Sequence, residues 1–448
     1  MVKVITYGTF DLLHQGHLNL LRRAKELGDY LIVGVTTENY DRNRGKLNVR
    51  KSLMERIEDV RKVGYADEII IEEYEGQKID DIQKYGIDVF AIGSDWLGKF
   101  DYLQEYCKVV YLERTKGISS TQLRFIDQKI VDLGVIGCGR IANRFIVESK
   151  FVSGIDVKGV YNIHEDSARA FCEKHELCFY STDLNDFFAK VDAVYIASPH
   201  LTHEFYIEKA LLAGKHVLCE KPLVLVGNKA KELYQLANDK KLILQEAIKT
   251  AYSPGFQHFY TLIKSGAIGV IKDVDASFTK LISGNTRELD ITQAGGAVTE
   301  LASYTLFAIV KILGVNPRRV EFFSMKDREG VDYYTRGVVC YDDCIGSFKV
   351  GLGVKTEGDL VVSGTKGYAY IPAPWWKTSY FELRYEDLNQ TRKYFYKFEG
   401  DGLRYEINDF LASVNKLPVR CIGLSEEESI AISQIIEKFR NKENVQLI

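Results

Sequence analysis

The sequence predicts an α/β protein: two parallel-sheet units in succession, then an α+β domain with an open, largely antiparallel sheet. Three observations carry this expectation. The run "VKVITYG" is strand-like and leads through a glycine into the helical pattern "HLNLLRRAKELG" and a second strand, "YLIVGVT". The same order of strand, glycine loop and helix begins again at "KIVDLGVIGCGRIANRFIVES" near residue 130, as it does where a parallel sheet starts afresh. From about Lys272 the texture changes to runs rich in β-branched and aromatic residues with turn signals between them, such as "VEFFSM" and "IGSFKVGLG".

With 448 residues the chain exceeds one ordinary core, and the expected segments are 1–128, 129–250 and 251–448. The polar helix tail "STQLRFIDQK" marks the first boundary, and "YEINDFLASV" and "SEEESIAISQIIEKFRNK" read as helices that pack back at the end. Hydrophobic residues make up 46% and charged residues 27%, ordinary for a soluble chain. A net charge of -3 gives no reason to expect a nucleic-acid partner. The strand-like opening leaves no room for a signal peptide, and no apolar stretch reaches the ~18 residues of a membrane span. Among eight cysteines only Cys340 and Cys344 are closely spaced, and no second Cys/His pair completes a metal hook. Reduced thiols, a cytoplasmic location, no membrane contact and no protein metal cluster are the expectations.

In "YGTFDLLHQGH" Gly8 permits a tight turn, and His14 and His17 straddle the entry into a helix. A helix start offers free N–H groups and a partial positive charge to phosphate. Two imidazoles beside it can donate to phosphate oxygens as charge builds on them. With "MERIEDV", "IGSDWLGKFDYL" and "ERTKGISST", this stretch resembles the cytidylyltransferases of the nucleotidyltransferase superfamily, nearest the glycerol-3-phosphate enzymes, over roughly residues 1–128. The resemblance implies a CTP site of Gly8, Thr9, Phe10, His14, His17, Asp95, Arg114, Ser119, Ser120 and Thr121. It casts His14, His17, Lys46 and Arg114 as catalytic, and Arg56 and Trp96 as substrate contacts. The implied reaction is in-line attack of a phosphomonoester on the α-phosphorus of CTP, releasing pyrophosphate, with Mg²⁺ bridging phosphates.

The second opening, "VDLGVIGCGRIA", places Gly137, Gly139 and Ala142 as G-x-G-x-x-A after a strand and before a helix. The acidic residue expected at the end of the next strand for an NAD ribose is replaced by Asn162, which leans toward NADPH over NADH. "VYIASPHLTHE" and "KHVLCEKPLV" resemble the Gfo/Idh/MocA oxidoreductases over roughly residues 130–448. That resemblance puts Gly137, Gly139, Arg140, Ile141, Asn162, Ser198, Pro199, His203, Glu220 and Lys221 at the cofactor, with Lys221 also by the substrate oxygen. In "GGAVTELASYTLF", Glu300 and Tyr304 share one helix face, Tyr304 standing where many members have histidine. Lys221 and Tyr304 are the expected catalytic pair, with Glu300 and Lys249 on the substrate.

These expectations describe a two-enzyme chain whose partners are CTP and a sugar or polyol phosphate. The leading route reduces fructose 6-phosphate to mannitol phosphate and then makes a CDP-polyol for cell-surface polysaccharide. CDP-ribitol and CDP-glycerol follow, with an adenylyltransferase and a catalytically dead NADP-sensing regulator as rivals. The aromatic strands "WWKTSYFELRYED" and "RKYFYKF" are expected to pair chains into a homodimer or homotetramer.

Overall fold

Short apolar runs bounded by glycine turns build the first sheet. The computed structural model describes residues 1–448 apart from 12, 14, 44–48, 50, 114–129, 285, 327–329 and 417–422, and apart from the side chains of 15, 42, 43 and 95. By contacts the chain divides into Met1–Lys129 and Ile130–Ile448. The first unit runs β1 (Lys3–Gly8), α1 (Gln15–Lys25), β2 (Tyr30–Thr36), α2 (Glu38–Asn43), α3 (Leu53–Val63), β3 (Glu68–Glu72), α4 (Gln77–Tyr85), β4 (Val89–Gly93) and β5 (Lys108–Leu112). Its strands pair in parallel in the order β3-β2-β1-β4-β5. The middle residues of β1 are all buried, as expected of a parallel strand covered on both faces. Helix α3 starts at a capping box, in which Ser52 and Glu55 satisfy each other's backbone N–H, and ends on Gly64 at φ 77. The strand order reverses beside β1, so the C-terminal ends of β1 and β4 open the crevice that such sheets offer to ligands.

The second unit starts with β6 (Val131–Ile136), α5 (Arg140–Ser149), β7 (Ile155–Tyr161), α6 (Glu165–His175), β8 (Phe179–Ser181), α7 (Leu184–Ala189) and β9 (Ala193–Ile196). It continues through α8 (His203–Leu212), β10 (His216–Glu220), α9 (Gly227–Asp239) and β11 (Leu244–Ala247). These strands form an all-parallel sheet in the order β11-β10-β9-β6-β7-β8, the doubly wound arrangement of dinucleotide-binding domains. After α10 (Pro254–Lys264) come β12 (Ile271–Thr279), α11 (Ala297–Leu313), β13 (Arg319–Lys326), β14 (Asp332–Cys340), β15 (Ile345–Gly351), β16 (Leu360–Gly364), β17 (Gly367–Ile371), β18 (Tyr380–Tyr385) and β19 (Arg392–Phe395). Helices α12 (Leu403–Val414) and α13 (Glu426–Arg440) and the short β20 (Val445–Leu447) complete the unit.

The second sheet of this unit has the order β19-β18-β17-β16-β12-β15-β14-β13-β20, antiparallel except at β12–β15 and β13–β20. Its strands alternate buried and partly exposed residues, the mark of a sheet with one covered face. Helix α11 covers that face: from Ala297 to Ile312 every residue but Tyr304 is buried. No helix among the described residues is long and apolar enough to cross a membrane. Every cysteine among the described residues is free, Cys340 and Cys344 included.

The aromatic strands expected to pair chains divide between inward and outward rings. Trp375 and Phe381 are fully buried, Trp376 stacks on Phe278, and Phe381 stacks on Tyr394. Trp375 and Phe381 gain by full burial, Phe278 and Trp376 line the oxidoreductase cavity, and Phe395 is exposed.

Candidate active sites

In the first unit the turn after β1 holds Phe10 at φ 50, a left-handed conformation that a bulky side chain adopts at a cost. Its buried ring meets the His17 imidazole edge-on, with centroids 5.6 Å apart, and so fixes that ring at the start of α1. Thr9 donates its hydroxyl to Asp41 at 2.8 Å, and Thr36 at the end of β2 donates to the same carboxylate at 2.6 Å. Arg56, expected on the substrate, lies at the ends of β1 and β2 and is tied into the fold. It has no accessible surface, donates to the carbonyls of Lys51, Thr9 and Thr36, and lies 3.6 Å from Asp41. A buried guanidinium needs several acceptors, and these tie α3 to the ends of β1 and β2. Trp96 packs on Phe100, with Lys99 Nζ 4.7 Å from its ring centroid. Without a Cβ, Gly8 lets the Phe10 ring come close. His14, Lys46, Arg114, Ser119, Ser120, Thr121 and the Asp95 side chain lie outside the described residues.

A polar cluster absent from the sequence reading lies at the ends of β1 and β3. Lys78 forms a buried ion pair with Glu72, its Nζ 4.6 Å from the Tyr7 ring centroid, and Tyr7 donates to Asp81 at 2.8 Å. Burial first, and Asp81 next, push the Tyr7 phenol far above its ordinary range.

In the second unit one cavity of about 790 Å³ runs from the glycine loop to α11 and α12. Gly137 has φ 102, and a Cβ there would lie 2.7 Å from the Ala197 carbonyl oxygen, so only glycine allows this close approach. Gly139 caps α5, Arg140 and Ile141 begin it, and Asn162 at the end of β7 accepts from the His164 N–H at 2.9 Å. This cradle of glycine backbone at a helix start suits a dinucleotide. Ser198 and Pro199 line the cavity, and Ser198 accepts from Thr202 at 2.8 Å. His203 contributes by positioning: its two ring nitrogens lie 2.9 Å from the carbonyls of Ser198 and Pro222, joining two loops at the wall.

The substrate end converges on Lys221, whose Nζ donates to the Glu300 carbonyl at 3.0 Å. The Glu300 carboxylate is clamped by Arg287, with 2.8 Å between Nη1 and Oε1 and 3.1 Å between Nη2 and Oε2. His200 Nδ1 lies 3.5 Å from Glu300, yet burial and the nearby Lys221 hold that imidazole neutral. The Tyr304 ring stands edge-on to Phe278, and burial raises its phenol well above the ordinary value. Glu220 accepts from the Tyr195 hydroxyl at 2.6 Å, and burial raises its carboxyl against the pull of Lys221. Lys249 donates to the Asp401 carbonyl, and burial depresses its ammonium. A lysine and a tyrosine held over one cavity floor can hold a carbonyl oxygen and give it a proton.

Three family models match the chain in this order. Residues 5–126 match one described as cytidylyltransferase-like, 131–248 the oxidoreductase family with NAD-binding Rossmann fold, and 256–370 the GFO/IDH/MocA C-terminal domain. Over 129 residues the chain is 54% identical to a glycerol-3-phosphate cytidylyltransferase of Bacillus spizizenii, covering 28% of this chain and 95% of that one. The chain belongs to both families. It is a cytidylyltransferase unit fused to a GFO/IDH/MocA oxidoreductase unit. The oxidoreductase part is 26% identical over 324 residues to a trans-1,2-dihydrobenzene-1,2-diol dehydrogenase of Bos taurus, covering 68% of this chain and 95% of that one. Its fold is similar to a 3-ketoreductase from Actinomadura kijaniata solved with NADP and TDP-benzene. That match has TM-score 0.63 and 22% identity, covering 71% of this chain and 98% of that one.

Sequence reading missed several residues of the oxidoreductase cavity. Arg287 comes from the segment before the glycine pair and has no motif of its own; only its pairing with Glu300 reveals it. Glu406 on α12 reads as an ordinary helix residue, yet it is 0% exposed, lines the cavity and has no hydrogen-bond partner among the described residues at either carboxyl oxygen. Burial, and then Glu220, raise its carboxyl well above the usual range. His200, three residues before His203 in "SPHLTHE", also lines the cavity.

Proposed function

We propose that the oxidoreductase unit reduces a keto or aldehyde sugar phosphate to a polyol phosphate, which the cytidylyltransferase unit converts with CTP to a CDP-polyol and pyrophosphate. The observation that carries this reading is the cavity that joins Lys221, Glu300 and Tyr304 to the glycine loop, in the same chain as a cytidylyltransferase. A bound nicotinamide cofactor supplies a hydride. Gly137, Gly139, Arg140, Ile141 and Asn162 would hold it, and the missing carboxylate at Asn162 favours NADPH. Lys221 holds the carbonyl oxygen, and Tyr304 gives it the proton as the hydride adds to carbon. In the second reaction an oxygen of the polyol phosphate attacks the α-phosphorus of CTP and pyrophosphate leaves, with His14 and His17 donating to phosphate oxygens and Mg²⁺ offsetting charge.

For chain length our reading is fructose 6-phosphate to mannitol phosphate, because the oxidoreductase family commonly accommodates hexose-sized substrates. A second reading, triose phosphate to CDP-glycerol, is favoured by the 54% identity to a glycerol-3-phosphate cytidylyltransferase. The product would serve a cell-surface polymer, and the working form would be a cytoplasmic homodimer or homotetramer. The test incubates the protein with CTP, Mg²⁺, NADPH and one sugar phosphate at a time and weighs the products. A CDP-hexitol mass from fructose 6-phosphate supports the first reading. CDP-glycerol from dihydroxyacetone phosphate alone supports the second.

A further inference from the structure

One group of charges in the oxidoreductase cavity has no part in the chemistry above. Asp401, just before α12, is met by three cations that line the same cavity. Lys377 Nζ lies 3.1 Å from its Oδ1, Arg144 Nε lies 3.6 Å from its Oδ2, and Lys249 donates to its main-chain carbonyl. Of the other cations that line the cavity, both arginines have carboxylates of their own, and Lys221 donates to the Glu300 carbonyl beside the reacting end. Arg287 is spent on Glu300, and Arg140 pairs with Glu288, which Lys280 also influences, on the glycine-loop side where the cofactor's phosphates belong. Around Asp401 three cations face one carboxylate. Partial burial opposes ionisation of Asp401, yet Lys377, Arg144 and Lys249 hold its pKa low, so it stays charged and spaces the cations.

Lys249 extends this cluster inward. It is 9% exposed, and its charge interacts with Glu406 and with Glu220, the neighbour of Lys221. Lys377 and Arg144 alone already outnumber the Asp401 carboxylate. A dianion brought to this place gains from the uncompensated charge in a partly desolvated wall, where such attraction is stronger than in water.

We propose that Arg144, Lys249 and Lys377 form the binding site for the phosphate of the sugar phosphate, with the carbonyl end turned toward Lys221 and Tyr304. This deepens the proposed reduction and rests on it. The test uses the full chain without CTP and follows NADPH oxidation with paired substrates: fructose 6-phosphate and fructose, ribulose 5-phosphate and ribulose, dihydroxyacetone phosphate and dihydroxyacetone. For the best pair, kcat/KM should favour the phosphorylated member by roughly a hundredfold. K377A and R144A should each lower that ratio about tenfold, K377R should keep most of it, and the double variant should bring it near one. Inorganic phosphate should compete with the sugar phosphate and not with NADPH. A wild-type ratio near one, or a ratio that survives the double variant, overturns the site while the proposed reduction stands. A rise in the KM for NADPH alone in the double variant assigns the cluster to the cofactor and overturns it too. No oxidation with any of the six compounds defeats the reduction and the site together.

Discussion

In Met1–Lys129 the turn after β1 carries a left-handed Phe10 and presents His17, whereas in Ile130–Ile448 the turn after β6 carries Gly137 and presents backbone. In the function proposed above, the same strand-to-helix corner, beside the same kind of reversal in strand order, serves two phosphate chemistries. Imidazoles can follow charge as it develops on a reacting phosphate, while glycine backbone holds a phosphate that does not react. Buried charge is also used in two ways. Arg56 and Asp41 have no accessible surface and are held by carbonyls and threonine hydroxyls, so they bind the fold together. In the oxidoreductase unit Glu300, Lys249 and Glu406 line a cavity, where burial opposes the charge of Lys249 and of Glu406 and leaves their polar atoms facing a space that a ligand can fill.

The strongest way to break this contrast is Lys221→Ala. It should lower NADPH oxidation by roughly 10³-fold or more, within the range of positioned acid–base groups. Pyrophosphate release from CTP with an added polyol phosphate should persist, and loss of both activities would refute the division of labour. Next comes Arg56→Leu, which leaves Asp41 buried without its cation and should destabilise the first unit by about 3–5 kcal/mol. Chemical denaturation followed by circular dichroism reads this; an unshifted midpoint would return Arg56 to the substrate. His17→Ala should cost roughly a hundredfold in pyrophosphate release, as for a lost donor to a charged oxygen, with NADPH oxidation as the control.

Much of this was legible because local patterns carry it. Parallel strands read as continuous apolar runs, and Glu300 and Tyr304 share a helix face at a spacing of four. The expected glycines, Lys221 and Tyr304 all line one cavity for that reason. Arg287, Asp401 and Glu406 were not legible, since their place comes from packing between segments far apart in sequence. Arg56 is instructive: an arginine on a helix reads as exposed, yet it stands four before Val60 and beside Ile57, on the apolar face of α3. For the aromatic strands, sequence alternation shows that one face is covered but not which large rings turn inward.

The smallest expected effect concerns a buried carboxyl that the chemistry does not use. Glu246 on β11 accepts from the Leu223 N–H at 2.9 Å and from the Ser429 hydroxyl, and burial pushes its pKa up to about 7 against those bonds. Its ordinary value is 4.5, so between pH 4.5 and 7 the folded chain keeps a proton that the unfolded chain has lost. The stability this contributes is therefore complete below about pH 4.5 and is lost as pH rises through about 7. Asp332, pushed up to about 7 by burial, acts in the same direction. Glu246→Gln keeps an acceptor for Leu223 and offers an amide to Ser429, which can accept, while nothing remains to ionise. The Tm of the oxidoreductase unit should then fall less between pH 5 and pH 8 than in the wild type, the gap narrowing by about 2–4 °C. Calorimetry at the two pH values measures it. An equal fall in both proteins would show that Glu246 is as easily ionised inside the fold as outside.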